Sequence, residues 1–172
     1  FTGISFEGKM FTYDGQEKTL GDATGVPEFA ECKYTGTRAA TDAGTYTATL
    51  VVSAKNYNDY KVTATLTINK ATLGDFTFEN KTFEYDEQLH TIQISGIVPA
   101  GESVVYTGGE DGKNGARSVG SYEITATIGG KNYVRKTLTA TLKIKSTEEA
   151  LATIIYNGKV YFQNALDNNR LY

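Results

Sequence analysis

Thr41–Leu50 reads TDAGTYTATL, placing Asp42, Gly44 and Tyr46 at alternate positions before a run in which threonines alternate with small or apolar residues. Arg117–Ile128, RSVGSYEITATI, opens on the same Gly-x-Tyr and enters the same alternation. Successive side chains of an extended strand point to opposite faces, so alternation with one apolar row is the pattern of a half-buried antiparallel strand. Tyr46, Ala48, Leu50 and Val52 make one row, and Thr45, Thr47 and Thr49 the other. Each tyrosine therefore stands at the mouth of a strand, two residues after a glycine.

The duplication extends well beyond this stretch. ISFEGKMFTYDG (Ile4–Gly15) lies over FTFENKTFEYDE (Phe76–Glu87), with Phe6, Glu7, Lys9, Phe11, Tyr13 and Asp14 meeting Phe78, Glu79, Lys81, Phe83, Tyr85 and Asp86 at an offset of 72 residues. The two prolines, Pro27 and Pro99, and the tripeptide YTG at Tyr34 and Tyr106 keep that offset. After them the offset is 76, so the second copy carries four extra residues, which fit in GGEDGKNGA as a lengthened loop. KNY (Lys55–Tyr57) then meets KNY (Lys131–Tyr133), and TATLTI (Thr63–Ile68) meets TATLKI (Thr139–Ile144). Val62, Ala64, Leu66 and Ile68 form a further apolar row. Tyr122, Ile124, Ala126 and Ile128, then Leu138, Ala140, Leu142 and Ile144, repeat the pattern.

Short alternating strands separated by turns at Asp14-Gly15, Gly25–Pro27 and Gly129-Gly130 predict an all-β chain of two tandem immunoglobulin-like β-sandwich repeats. A β-grasp unit would need a helix across the sheet, and no window here supplies one. In such sandwiches a tyrosine at the start of a late strand turns its ring inward while its hydroxyl bonds backbone a few residues upstream. Tyr46 and Tyr122 are placed for that role. Glycine ahead of them permits close approach or a positive φ, and Asp42, replaced by Ser118 in the second copy, is a candidate turn stabiliser. Glu87 replaces the glycine of the first copy's Tyr-Asp-Gly, which predicts a different turn there. The expected divisions are 1–71, 72–146 and a tail, 147–172. In the tail Ser146–Glu149 has capping-box spacing for a turn of helix. Asn157-Gly158 between Ile154–Tyr156 and Lys159–Phe162 predicts a short C-terminal β-hairpin that docks on the second repeat or opens a further module.

Composition narrows function. Hydrophobic residues make up 40% of the 172, Trp is absent, and the net charge is −3 without any dense Lys/Arg run, which argues against a nucleic-acid partner. No apolar run is long enough to cross a bilayer, so membrane insertion by this segment is not expected. The chain starts without an initiator Met and reads as an excised segment. Cys32, the single cysteine, alternates with Ala30 and Tyr34 in FAECKY and is expected to be a small buried side chain.

The chemistry-bearing residues are scattered. His90 is the only histidine and lies in EQLHTIQIS, alternating into an expected strand with nothing in that context to mark it as catalytic; with one Cys, the usual zinc clusters cannot form. Asp14/Asp86 and Glu7/Glu79 occur in both copies, as residues required by a fold do, rather than once, as an active site requires. GGEDGKNGA lacks calcium-loop spacing. No catalytic residue, metal site or cofactor is expected. Tyr57, Tyr60 and Tyr133, in KNYNDY and KNYVRK, are the candidates for binding a protein or glycan, because an aromatic ring with a polar tip suits such surfaces. For Tyr57 and Tyr133, which recur in both copies, the favoured expectation is that they plug one end of each sandwich.

The ordered motifs FEGKMFTYDGQEKTL, GVPEF, KYTG, DAGTYTATL and ATLTINKA, and their counterparts from FENKTFEYDE to TATLKI, resemble the MBG-type modules found in tandem in bacterial extracellular proteins. The resemblance spans about residues 4 to 146. It implies a non-catalytic building block of a secreted or cell-surface bacterial protein, often adhesin-like, and it transfers no ligand or catalytic residues; the expected role is a spacer or adhesion-type module, and the segment is expected to be monomeric. The runner-up is an accessory glycan-binding module of a secreted carbohydrate-active enzyme, which an exposed aromatic platform on one copy would favour. The linker Asn69–Asp75 is short and has no Ser/Gly run, so limited hinge motion between copies is expected.

Overall fold

A computed structural model describes residues 1–147, 153–164 and 170–171. The first copy forms β1 (Lys9–Thr12), β2 (Lys18–Thr19), β3 (Glu31–Gly36), β4 (Ala39–Ala40), β5 (Gly44–Ser53) and β6 (Tyr60–Asn69). One sheet has the order β1-β6-β5-β3, and β2 pairs with β4 in a second, smaller sheet. The expected apolar rows are the core: Ala48, Leu50, Val52, Ala64, Leu66 and Ile68 are buried, joined by Phe6 and Leu20. In register, Ala48 faces Ala64, Leu50 faces Val62 and Tyr46 faces Leu66 across the antiparallel β5–β6 pair. Strand β1 pairs with β6 in parallel, Lys9 opposite Leu66 and Thr12 opposite Asn69.

The second copy repeats this with β7 (Lys81–Glu84), β8 (His90–Thr91), β9 (Val104–Thr107), β10 (Gly115–Ala116), β11 (Gly120–Ile128) and β12 (Lys136–Lys145). The order is β7-β12-β11-β9, with β8 paired to β10 and β7 again parallel to β12. Its core holds Ile92, Ala116, Ile124, Ala140, Leu142 and Ile144. Burying a Leu or Ile side chain contributes about 1.5–3 kcal/mol, which is the scale on which Ile92, Ile124, Leu142 and Ile144 each stabilise this core. Among the described residues every regular element is a strand, and the two tandem repeats are immunoglobulin-like, each a four-stranded sheet with a two-stranded one. The tail forms the expected hairpin: β13 (Thr153–Tyr156) and β14 (Lys159–Asn164) pair antiparallel, and β15 (Arg170–Leu171) adds to β14. Asn157 and Gly158 both have positive φ, at 53° and 73°, as a two-residue hairpin turn of this type requires. The expected helical turn at Ser146–Glu149 extends outside the described residues.

Contacts gather the chain into two units that cut across the sequence repeat. Unit 1 is Phe1–Asp75 with Ile97–Val104 and Ile128–Lys136; unit 2 is Phe76–Gly96, Val105–Thr127 and Thr137–Tyr172.

Two local expectations are corrected. Cys32 is exposed. It pairs with Val52, but β3 is the edge of its sheet, with a neighbouring strand on one side only. Glu87 keeps the left-handed conformation of the glycine it replaces, φ 66° against 81° at Gly15, so the two turns agree in hand. Asp86 Oδ1 accepts from Gln88 N at 2.9 Å as Asp14 Oδ1 does from Gln16 N, holding that turn although Glu tolerates it less well.

Candidate functional site

The tyrosines at the strand mouths are structural. Tyr46 donates from its hydroxyl to Asp42 O at 2.9 Å, and Tyr122 to Ser118 O at 3.0 Å, each reaching four residues upstream. The rings lie so close over Gly44 and Gly120 that a Cβ there would sit 3.1 and 3.0 Å from the hydroxyls. Close approach, not a positive φ, is what glycine supplies. A second tyrosine in each copy supports the backbone too: Tyr34 Oη accepts from Ala23 N at 2.9 Å and Tyr106 Oη from Ile94 N at 3.1 Å.

The recurring acids are tied to partners on their own turns. Lys18 Nζ donates to Asp14 at 2.5 Å and sits 5.7 Å from the Phe11 ring centroid. In the second copy His90 takes the place of Lys18: its Nε2 is 2.8 Å from Asp86 Oδ1 and its ring stacks on Phe83 at 4.3 Å. The repeat offset of 72 between Lys18 and His90 is the sequence signal for this exchange, which the immediate surroundings of His90 do not carry. Lys18 and the Gln16 amide lower the pKa of Asp14, and the Gln88 amide, then His90, lower that of Asp86. The loop GGEDGKNGA engages its carboxylates in the same way. Glu110 accepts from Ser118 Oγ at 2.5 Å and from the amides of Arg117 and Ser118 at 2.6 and 2.9 Å, which pull its pKa from 4.5 to about 2. Asp111 Oδ1 accepts from Lys113 N and Gly115 N. Among the described residues no three His, Cys, Asp or Glu side chains gather into a cluster able to hold a metal.

Unit 1 contains one polar cluster that the sequence did not reveal. Asn132 is buried, with 6% of its surface exposed. Its Nδ2 donates to Asp42 Oδ1 at 2.8 Å, its Oδ1 accepts from Ala43 N at 2.8 Å, and its amide donates to Glu102 Oε1 at 3.0 Å. Lys131 Nζ lies 3.2 Å from Asp42 Oδ2. The Asn132 hydrogen bond first, and Lys131 second, lower the pKa of Asp42. Asp42 is therefore a receptor for Asn132 rather than a stabiliser of its own turn. Asn132 O accepts from Ala71 N, and Val134 N donates to Ala71 O.

The three candidate tyrosines have separate fates. Tyr133 is half-buried, edge-on to Tyr13 with centroids 5.5 Å apart. Tyr60 is half-buried at the start of β6 and packs on the first core. Tyr57 is 56% exposed, so it plugs nothing; it lies 5.5 Å from the Phe1 ring and 5.4 Å from Phe29, itself 62% exposed. Beside these rings Phe29, Glu31, Ser53, Ala54 and Lys55 line an open groove of about 350 Å³. Another groove, lined in part by Ser5, Glu7 and Lys9, has its counterpart at Thr77, Glu79 and Lys81, so it follows from the fold.

The sequence profile of the MBG domain matches the chain twice, over residues 4–72 and 76–148. No curated protein matches it. Among solved structures it is similar to human protocadherin-24 EC1-2, with 12% identity over 84% of this chain and 95% of that one and a TM-score of 0.34. It is also similar to the tandem Ig repeats of Dlar, with 12% identity over 83% and 97% and a TM-score of 0.32.

Proposed function

We propose that this chain, which belongs to the MBG domain family as two tandem copies, is a load-bearing, non-catalytic spacer of a secreted or cell-surface bacterial protein. One observation carries the reading: in each copy the first strand of the main sheet pairs in parallel with the last, β1 with β6 and β7 with β12. The ladder runs on through Tyr13 N to Asn69 O at 2.8 Å and Tyr85 N to Lys145 O at 2.9 Å. In a parallel pair the two strands run the same way, so a pull on the entry of one and the exit of the other slides them past each other. Several evenly spaced hydrogen bonds then share the load instead of breaking in turn. An extracellular stalk needs that property.

The accessory glycan-binding reading would draw on Phe29 and Tyr57. Their ring planes are inclined by 34°, and those of Phe1 and Tyr57 by 33°, so the three do not form one flat platform for a sugar face.

Single-molecule pulling from the two ends tests the spacer role. The wild-type chain should show two resisted unfolding events. Tyr85→Pro, which removes the amide bonded to Lys145, should weaken one of them, whereas Tyr85→Leu, which keeps the amide, should weaken neither. With thermal melting showing the second copy still folded, an unchanged force in Tyr85→Pro would refute the reading.

A further inference from the structure

Lys131–Tyr133 and Lys55–Tyr57 are the same tripeptide at equivalent positions, yet their surroundings differ. In unit 1 the first of these is engaged: Asn132 is buried on Asp42, Ala43 and Ala71, Lys131 pairs with Asp42, and Tyr133 meets Tyr13 edge-on. Glu102, from the turn closed by Glu102 N to Pro99 O, completes the cluster. In the first copy the equivalent turn is closed by Ala30 N to Pro27 O, and beside it Lys55, Asn56 and Tyr57 are all exposed. Asn56 holds a left-handed φ of 68°, a costlier conformation that Asn132 does not share. Phe29 stands where the second copy has Gly101, so the open end is also the more apolar of the two.

We propose that the end of the first copy bearing Phe29 and Lys55–Asn58 docks another module of this family, which supplies a tyrosine and an aspartate in the places of Tyr13 and Asp42. The occupant follows from chemistry already present in unit 1. The Asn side chain presents a donor and an acceptor together, matching the carboxylate and following amide of an Asp-x-Gly-x-Tyr turn, and the neighbouring lysine neutralises that carboxylate. Phe29 and Tyr57 add apolar area at the same place. The second copy of this chain carries Ser118 where the first has Asp42, so it lacks the carboxylate and is not the occupant. The proposal rests on family membership and does not require the load-bearing reading, which is tested on β7 and β12.

A fusion placing residues 1–72 ahead of Phe1 of the full chain restores the repeat register, since Phe1 corresponds to Leu73. The added copy carries Tyr57→Phe so that mass spectrometry separates the two peptides. Hydroxyl-radical labelling of the original Tyr57 should fall to the level of Tyr133. Asn56→Ala in the original copy should restore the labelling seen without the fusion. Labelling of Tyr57 unchanged by the fusion, protection that survives Asn56→Ala, or an added copy that does not fold would each overturn the proposal. Binding to a glycan panel that disappears in Tyr57→Ala, with Tyr57 still fully labelled in the fusion, would assign the rings to a saccharide instead and overturn it as well.

Discussion

Tyr46 and Tyr122 each place one hydroxyl on a backbone carbonyl four residues upstream. Replacing either by Phe keeps the ring and removes the bond, which should cost about 1 kcal/mol of stability in the copy concerned, read from urea unfolding; no loss in either variant would show that ring packing alone holds the corner. Glu110 gives a pH-dependent counterpart. Its carboxylate is held ionised by Ser118 and the Arg117 and Ser118 amides, with a pKa lowered from 4.5 to about 2. A depressed acid stabilises the fold fully above its unfolded value and loses that contribution as pH falls through its folded value. The second copy should therefore lose stability between pH 4.5 and 2. Glu110→Gln should be less stable than wild type at neutral pH and should close that gap in acid; parallel urea midpoints across the range would contradict the assignment. This role was not legible beforehand, because the loop read only as an insertion and its carboxylate acts on amides seven and eight residues away.

At the level of elements, legibility followed length and locality. Strands β5, β6, β11 and β12 are nine or ten residues long, and alternation over that span fixes which face is buried. The tail hairpin was equally readable from Asn157-Gly158, a purely local constraint. Strands β2, β4, β8 and β10 have two residues each, too few for any period, and they emerge only because their neighbours Leu20 and Ile92 enter the core. The exposure of Cys32 depended on its strand lying at a sheet edge, which alternation within FAECKY does not encode. Parallel pairing was invisible for a related reason: Lys9 and Leu66 are opposite each other only across nearly the whole length of the repeat, so no local pattern encodes the pair. The burial of Asn132 lies furthest from sequence logic, since its partner Asp42 is 90 residues away and nothing local distinguishes it from exposed Asn56. Repetition supplied the signal once one copy was seen engaged and the other open.

For the molecule as a whole, duplicated residues build the two repeats, while Phe29, which has Gly101 as its counterpart, and the exposed Tyr57 mark where the first copy is proposed to meet another module. Mechanical resistance is the property that separates a stalk from a bystander domain, and it is directional. Force between the two ends slides β1 along β6, whereas force between Thr12 and Asn69, which lie opposite each other at the end of that pair, peels it bond by bond. Both positions are exposed and accept cysteine handles once Cys32 is changed to serine. The decisive measurement is the unfolding force of the first copy in these two geometries. The force should be clearly higher end to end than across Thr12 and Asn69; equal forces in both directions would contradict the shear geometry of the parallel pair.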